Sequence, residues 1–230
     1  MQDPATRRLA QVLNTIALVV CLWCFLSQVA NSIAAAALVL LPWFAIVAVK
    51  DANGLLRFVK ARKGDDYPNL TIAGTFPVIT IFVLAVSRYN VIFSSQAWCL
   101  TVAAAAAMIA AFIWADSSLR RGWRALALMV CVSLAWGYGA IIEVNGLFDM
   151  SPGVTWTAVV QGKHTSGSRG RLYKLTLAPW GPKDRPNPLT VSRATWRAIQ
   201  PSDIVYLNLK PGVLGVRWYR LQRWERRRRP

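Results

Sequence analysis

The chain has 230 residues, 55% of them hydrophobic, and a formal net charge of +17. A single soluble domain does not combine the two, because such apolarity needs a large core and such charge needs a polyanion or a solvated face. The features separate near Phe148: 11 Lys/Arg and 6 Asp/Glu precede it, and 16 Lys/Arg and 4 Asp/Glu lie from there to the end.

Residues 9–49 are almost continuously apolar. A bilayer crossing takes about 20 residues, so this stretch predicts two spans, 9–30 and 32–49, broken at the polar residues from Ser27 to Ser32. The first reads as an uncleaved anchor, since its apolar core runs past that of a signal peptide. Cys21 and Cys24 have the CxxC spacing of thiol–disulfide exchange. They sit mid-span with no cation near them in sequence to stabilise a thiolate, so they read as packing residues. In the loop that follows, GLLRFVKARK (54–63) reads as a short interfacial helix with its cations toward headgroups. Asp65-Asp66 reads as a solvated turn rather than an acid–base or metal pair.

Three more spans are predicted at 70–87, 97–115 and 125–142, each apolar on all faces. Pro42 and Pro77 are weak hints of the broken helices that transporters use. Alanine runs (34–37 and 103–107) and the pair Ala135/Gly139 permit close helix contact, within one chain or in a homo-oligomer. Glu143, at the outer end of the fifth span with Asn145 two residues on, is the most conspicuous intramembrane acid. Its bland role is anchoring, by reaching water or by pairing with a cation such as Arg88; its sharp role is an ion or substrate path.

Lys and Arg near successive span ends number two, none, five, one and three. Ten of these eleven share one side if the N-terminus is cytoplasmic, which puts the C-terminal part in the periplasm or outside. The expected division is a transmembrane domain over 1–147 and a basic domain with an Arg-rich tail over 148–230.

After Gly153 the pattern changes to alternation. Strands are predicted at 154–161, 171–178, 189–192, 204–210 and 216–222, with a hairpin loop at 162–170 and a helical turn after Ser192 as N-cap. Five short strands and one small helix predict an all-β barrel of the SH3-like or OB-like kind. Trp156, Tyr173, Leu175, Val205, Leu207 and Trp218 are the candidate core. Arg169, Arg171, Lys174, Arg193, Arg197, Arg217, Arg220 and Arg223 are interleaved with Trp180, Trp196, Trp218 and Trp224. Arginine beside stackable aromatics suits single-stranded nucleic acid, or anionic headgroups and envelope polymers. Outside the cytoplasm the lipid or polymer is the more available partner.

PWGP (179–182), VSRATWRAIQPSD (191–203) and LKPGVLGVRWY (209–219) resemble the C-terminal domain of a group of uncharacterised multi-span bacterial inner-membrane proteins. The resemblance implies a small β domain and an inner-membrane location, and no activity. Ser202 stands where that group has a glycine before the aspartate, which implies a less relaxed turn.

The single histidine, His164, excludes most His-based zinc sites. P-loop, HExxH, GxGxxG and a usable GxSxG are absent from the sequence. No catalytic residue, metal or cofactor is assigned. The sequence reads as a non-enzymatic interaction protein that lies in the lipid bilayer and presents a basic β domain to an anionic component or another envelope protein. The alternatives are a transporter or membrane enzyme using Glu143, and a nucleic-acid or ribosome-associated tail should the C-terminus be cytoplasmic.

Overall fold

The computed structural model describes residues 4–27, 32–58, 68–92, 94–117, 119, 122–167 and 172–226. The chain forms two units: Met1–Val86 with Ser94–Leu147, and Ser87–Phe93 with Phe148–Pro230.

The first unit is built from helices α1 (Pro4–Ser27), α2 (Ser32–Asp51), α3 (Thr71–Arg88, whose last two residues belong to the second unit), α4 (Ser95–Ala115) and α5 (Trp123–Leu147). All five are long and apolar enough to cross a membrane. Large apolar side chains such as Val19, Leu26, Phe44, Ile79 and Trp98 face outward, while many inward positions are small, among them Ala10, Ala17, Cys21, Cys24, Ala45 and Ala73. Lipid gives helices no hydrophobic reason to associate, so small residues that let backbones approach carry the packing. Gly139 packs in this way against the backbone of α3 at Ile81 and Phe82, so it serves contact inside the chain. Pro42 has no N–H for the Leu38 carbonyl; at the adjacent Val39 the carbonyl accepts from the Trp136 indole at 3.3 Å.

The interfacial helix expected at 54–63 is not helical over its described part, 54–58. Leu56 and Phe58 are both buried, with Phe58 edge-on to Phe112 at 4.8 Å. Their spacing of two suits an extended segment. That segment is fixed by hydrogen bonds from Leu70 N to the Arg57 carbonyl (3.0 Å) and from the Thr71 hydroxyl to the Phe58 carbonyl (2.5 Å). Residues 59–63 and the pair Asp65-Asp66 lie outside the described residues.

The second unit is a nearly closed antiparallel barrel of six strands in the order β1-β6-β5-β2-β3-β4. The strands are β1 (Asn90–Val91), β2 (Val154–Ser166), β3 (Leu172–Leu177), β4 (Asn187–Val191), β5 (Ile204–Lys210) and β6 (Trp218–Glu225), with helix α6 (Arg193–Ala198) between β4 and β5. The long β2 serves two partners: Val154–Val159 pairs with β5, and Val160–Ser166 pairs with β3 across a bulge at Val160/Gly162. Such a bulge bends a strand and strengthens its twist, which is how one sheet curls on itself. Between the two ends of the sheet a side-chain chain spans the interior. The Trp180 indole donates to Asn187 Oδ1 on β4, and Asn187 Nδ2 donates to the Tyr219 hydroxyl on β6, both at 2.9 Å. Burial pushes the Tyr219 phenol up, against the opposing effect of the Asn187 hydrogen bond.

Leu175, Val205, Leu207 and Trp218 are core as expected, joined by Val160, Leu177, Leu189, Ile199 and Tyr219. Tyr173 is half-buried. Trp156 departs from the expectation at 39% exposed. It has inward parity with Ala158 but lies near the open end of β2, where its indole covers Gly181.

Ser192 is the N-cap of α6, its hydroxyl accepting from Thr195 N at 3.1 Å. The turn before β5 shows why Ser202 is less relaxed than glycine: its φ is 78°. Asp203 N donates to the Gln200 carbonyl at 3.1 Å, so proline sits second and Ser202 third in a four-residue turn. That is the type II pattern, in which the third position favours glycine. Relief of left-handed strain outweighs the extra flexibility of an unfolded glycine. Ser202→Gly should therefore stabilise this unit by about 0.5–1 kcal/mol, read as hydrogen exchange at the Val160 and Asp203 amides slowing roughly two- to fivefold.

Candidate cationic surface of the second unit

The four acids from residue 148 onward are Asp149, Asp184, Asp203 and Glu225. Asp149 and Asp203 are buried. Asp203 accepts from Gln200 N at 2.8 Å, inside the turn just described. Asp149 joins the segment after α5 to the turn between β5 and β6. Its Oδ1 accepts from Ser151 N at 2.9 Å and from the Ser151 hydroxyl, and its Oδ2 accepts from Gly212 N and Trp218 Nε1, both at 2.9 Å. Burial alone would raise the Asp149 carboxyl; the hydrogen bonds from Ser151, Trp218 and Gly212 overcome it and hold the group below its ordinary value. Glu225 accepts from the Tyr206 hydroxyl at 3.0 Å and lies 3.6 Å from the Arg223 guanidinium. Asp184 is exposed.

The cations lie outside. Arg193, Arg197, Arg217, Arg220 and Arg223 are exposed and Lys174 is half-buried. The unit thus spends its acids largely on its own backbone and neighbours while its guanidinium groups face solvent.

These cations form two groups rather than one pocket. Arg193 and Arg197 are four apart on α6 and share a helix face. Arg220 and Arg223 lie on β6, opposite Asn208 and Tyr206 of β5, and the Arg223 guanidinium stacks over the Tyr206 ring at 4.1 Å. Lys174 lies on β3 between His164 and Thr190. In sheet order β3 and β6 are three strand spacings apart, roughly 14 Å. Arg169 and Arg171 lie outside the described residues.

The tryptophans expected between the cations are mostly not stacking platforms. Trp180 and Trp218 are buried, and Trp196 and Trp224 are half-buried. Trp196 is already flanked by the Tyr173 ring at 5.5 Å and the Lys163 ammonium at 4.4 Å. Single-stranded nucleic acid needs exposed aromatic faces for successive bases, and this arrangement offers few. Sequence spacing marked these residues as interleaved, but it carried no sign of which side of the sheet each would take.

In the first unit, Glu143 is 1% exposed and Asn145 is equally buried, so the Glu143 carboxylate does not reach the surface. Arg88 falls in the other unit. Cys21 and Cys24 are buried and not joined in a disulfide. A cleft of about 360 Å³ at the ends of α2 and α4 is lined by Lys50, Arg57, Trp114 and Asp116, with the Lys50 ammonium 4.8 Å from the Trp114 ring centroid. Among the described residues, no group of three or more His, Cys, Asp or Glu could hold a metal ion.

Compared with known proteins, the chain matches no family model, no curated protein and no solved structure.

Proposed function

We propose that this multi-span membrane protein holds its β unit on the outer face of a bacterial inner membrane and presents a cationic surface there to an anionic envelope component. The observation that carries the reading is the sorting of charge within the second unit: Asp149 and Asp203 are buried and engaged, Glu225 is paired with Arg223, and Arg193, Arg197, Arg217 and Arg220 are exposed. Fixed cations with few local counter-charges attract polyanions over a Debye length of about 10 Å. The Lys/Arg bias of the loops supports the outer location. The resemblance of the closing segments to multi-span inner-membrane proteins supports the inner membrane, and says nothing of the face. Chain topology agrees with the span count: the segments ending at Phe93 and starting at Phe148 belong to one unit. Two helices separate them, an even number of crossings.

The test uses the full chain in nanodiscs of zwitterionic lipid with a fluorescent polyphosphate probe. Binding should weaken at least tenfold between low and physiological salt, and again when Arg193, Arg197, Arg220 and Arg223 are all changed to glutamine. Salt-insensitive binding, or none, overturns the reading. Alkaline phosphatase fused after Pro230 should be active and a cytoplasm-folding fluorescent protein dark; the reverse pair would return nucleic acid as the polyanion.

A further inference from the structure

We infer that Phe148, Met150 and Val213 form an apolar tip that inserts into the headgroup region of the bilayer, with Lys210 and Arg217 at its border beside lipid phosphates. Met150 is 93% exposed, Phe148 51% and Val213 54%; large apolar side chains that cluster in the open mark an interaction or membrane surface. Asp149 draws the three together. Phe148 and Met150 flank it in the chain, and Val213 follows the Gly212 whose amide donates to its carboxylate at 2.9 Å. Its carbonyl accepts from Lys210 Nζ at 3.0 Å, which ties one border cation to the same point. Lys210 and Arg217 bracket the turn that carries Val213.

The occupant follows from the chain. Phe148 directly succeeds Leu147, the last residue of α5. A residue spans at most about 3.5 Å, so Met150 stays within roughly 10 Å of the end of a membrane helix. At that range the interface of the bilayer is the nearest apolar medium, and side chains of this kind, bordered by cations, suit its depth. The inference rests on α5 being a membrane span, and not on the cationic surface finding a polyanion.

The test is depth measurement by spin label in the full chain, with Cys21, Cys24, Cys99 and Cys131 replaced by alanine and nanodiscs of mixed phosphatidylcholine and phosphatidylglycerol. Nitroxides go on Met150→Cys, Val213→Cys and, as the water-facing control, Arg197→Cys; Phe148→Cys is the second variant should either tip label disturb folding. The tip labels should show an oxygen-to-nickel-chelate accessibility ratio at least threefold above that of the control, unchanged by salt. Ratios equal to the control would place the tip in water and overturn the inference. Labels shielded from both reagents would show protein covering the tip and overturn it as well. Because polyphosphate binding falls with salt and tip depth does not, either proposal can fail without the other.

Discussion

Replacing Asp149 with asparagine should cost the second unit about 2–3 kcal/mol, the largest expected effect of a single polar substitution in it. Both carboxylate oxygens accept: one from Ser151, the other from Gly212 N and Trp218 Nε1. An amide accepts on one side only. Whichever way it sits, its NH₂ group meets a backbone N–H that cannot turn away. In the full chain in nanodiscs, amide exchange at Ser151, Gly212 and along β6 should accelerate roughly 30- to 150-fold. Normal protection would mean that the carboxylate is dispensable.

The same group sets an acid limit. Its folded-state value lies below its unfolded one, so its contribution is fully present above about pH 4. It fades as pH falls through the lowered folded value, because the unfolded chain then binds the proton more readily. Protection of the Gly212 amide should therefore decline in acid for the wild type, while the asparagine variant loses this part of the pH dependence.

The second large effect lies in the helices. A β-carbon at Gly137 would stand 2.6 Å from the Thr101 carbonyl oxygen and 3.1 Å from the Ala105 nitrogen, both backbone atoms of α4. A backbone cannot swing aside as a side chain does, so α4 and α5 must separate. Gly137→Ala should cost about 1–3 kcal/mol, and Gly137→Leu should abolish the compact bundle. Thermal scans of the full chain by size exclusion in detergent would show a lower midpoint for alanine and no monodisperse peak for leucine. Gly122→Ala is the control. Among the described residues its new methyl would meet the Ala125 side chain at 3.8 Å, an ordinary contact, and its midpoint should move less than that of Gly137→Ala. An unmoved midpoint for Gly137→Ala would mean that the two helices are not held at this distance.

The legible parts of the fold are those written in long patterns. Five helices announce themselves because residues apolar on every face have no soluble alternative, and β5 has the predicted limits, Ile204 and Lys210. β1 was illegible. Two residues in a short loop carry no alternation, and Asn90–Val91 is a strand because Tyr219 and Trp218 supply its partners. β2 runs on to Ser166, five residues past its predicted end; the turn-like Gly162 is a bulge, not a stop. Charge among apolar residues at 54–63 imitates amphipathicity, and only tertiary anchoring reveals the spacing of two between Leu56 and Phe58. For the cationic surface, the sequence marked the arginines and not the acids. That Asp149 and Asp203 would be consumed by turns depends on backbone donors that no motif names.

The pairing of β1 with β6 also imposes an order on biogenesis. β1 leaves the ribosome before α4, while β6 is near the end of the described chain, so the barrel cannot complete until the intervening helices have been threaded and the last strand delivered to the same side. Until then Trp218 and Tyr219 of β6 lack the partners that Val91 and Asn90 supply, and an unpaired strand edge is the kind of surface that pairs with the wrong chain. A chain that inserts α4 or α5 incorrectly would leave its two sheet segments on opposite sides of the bilayer and that pairing unmade. Completion of a small sheet thus certifies that a much larger membrane insertion was done correctly.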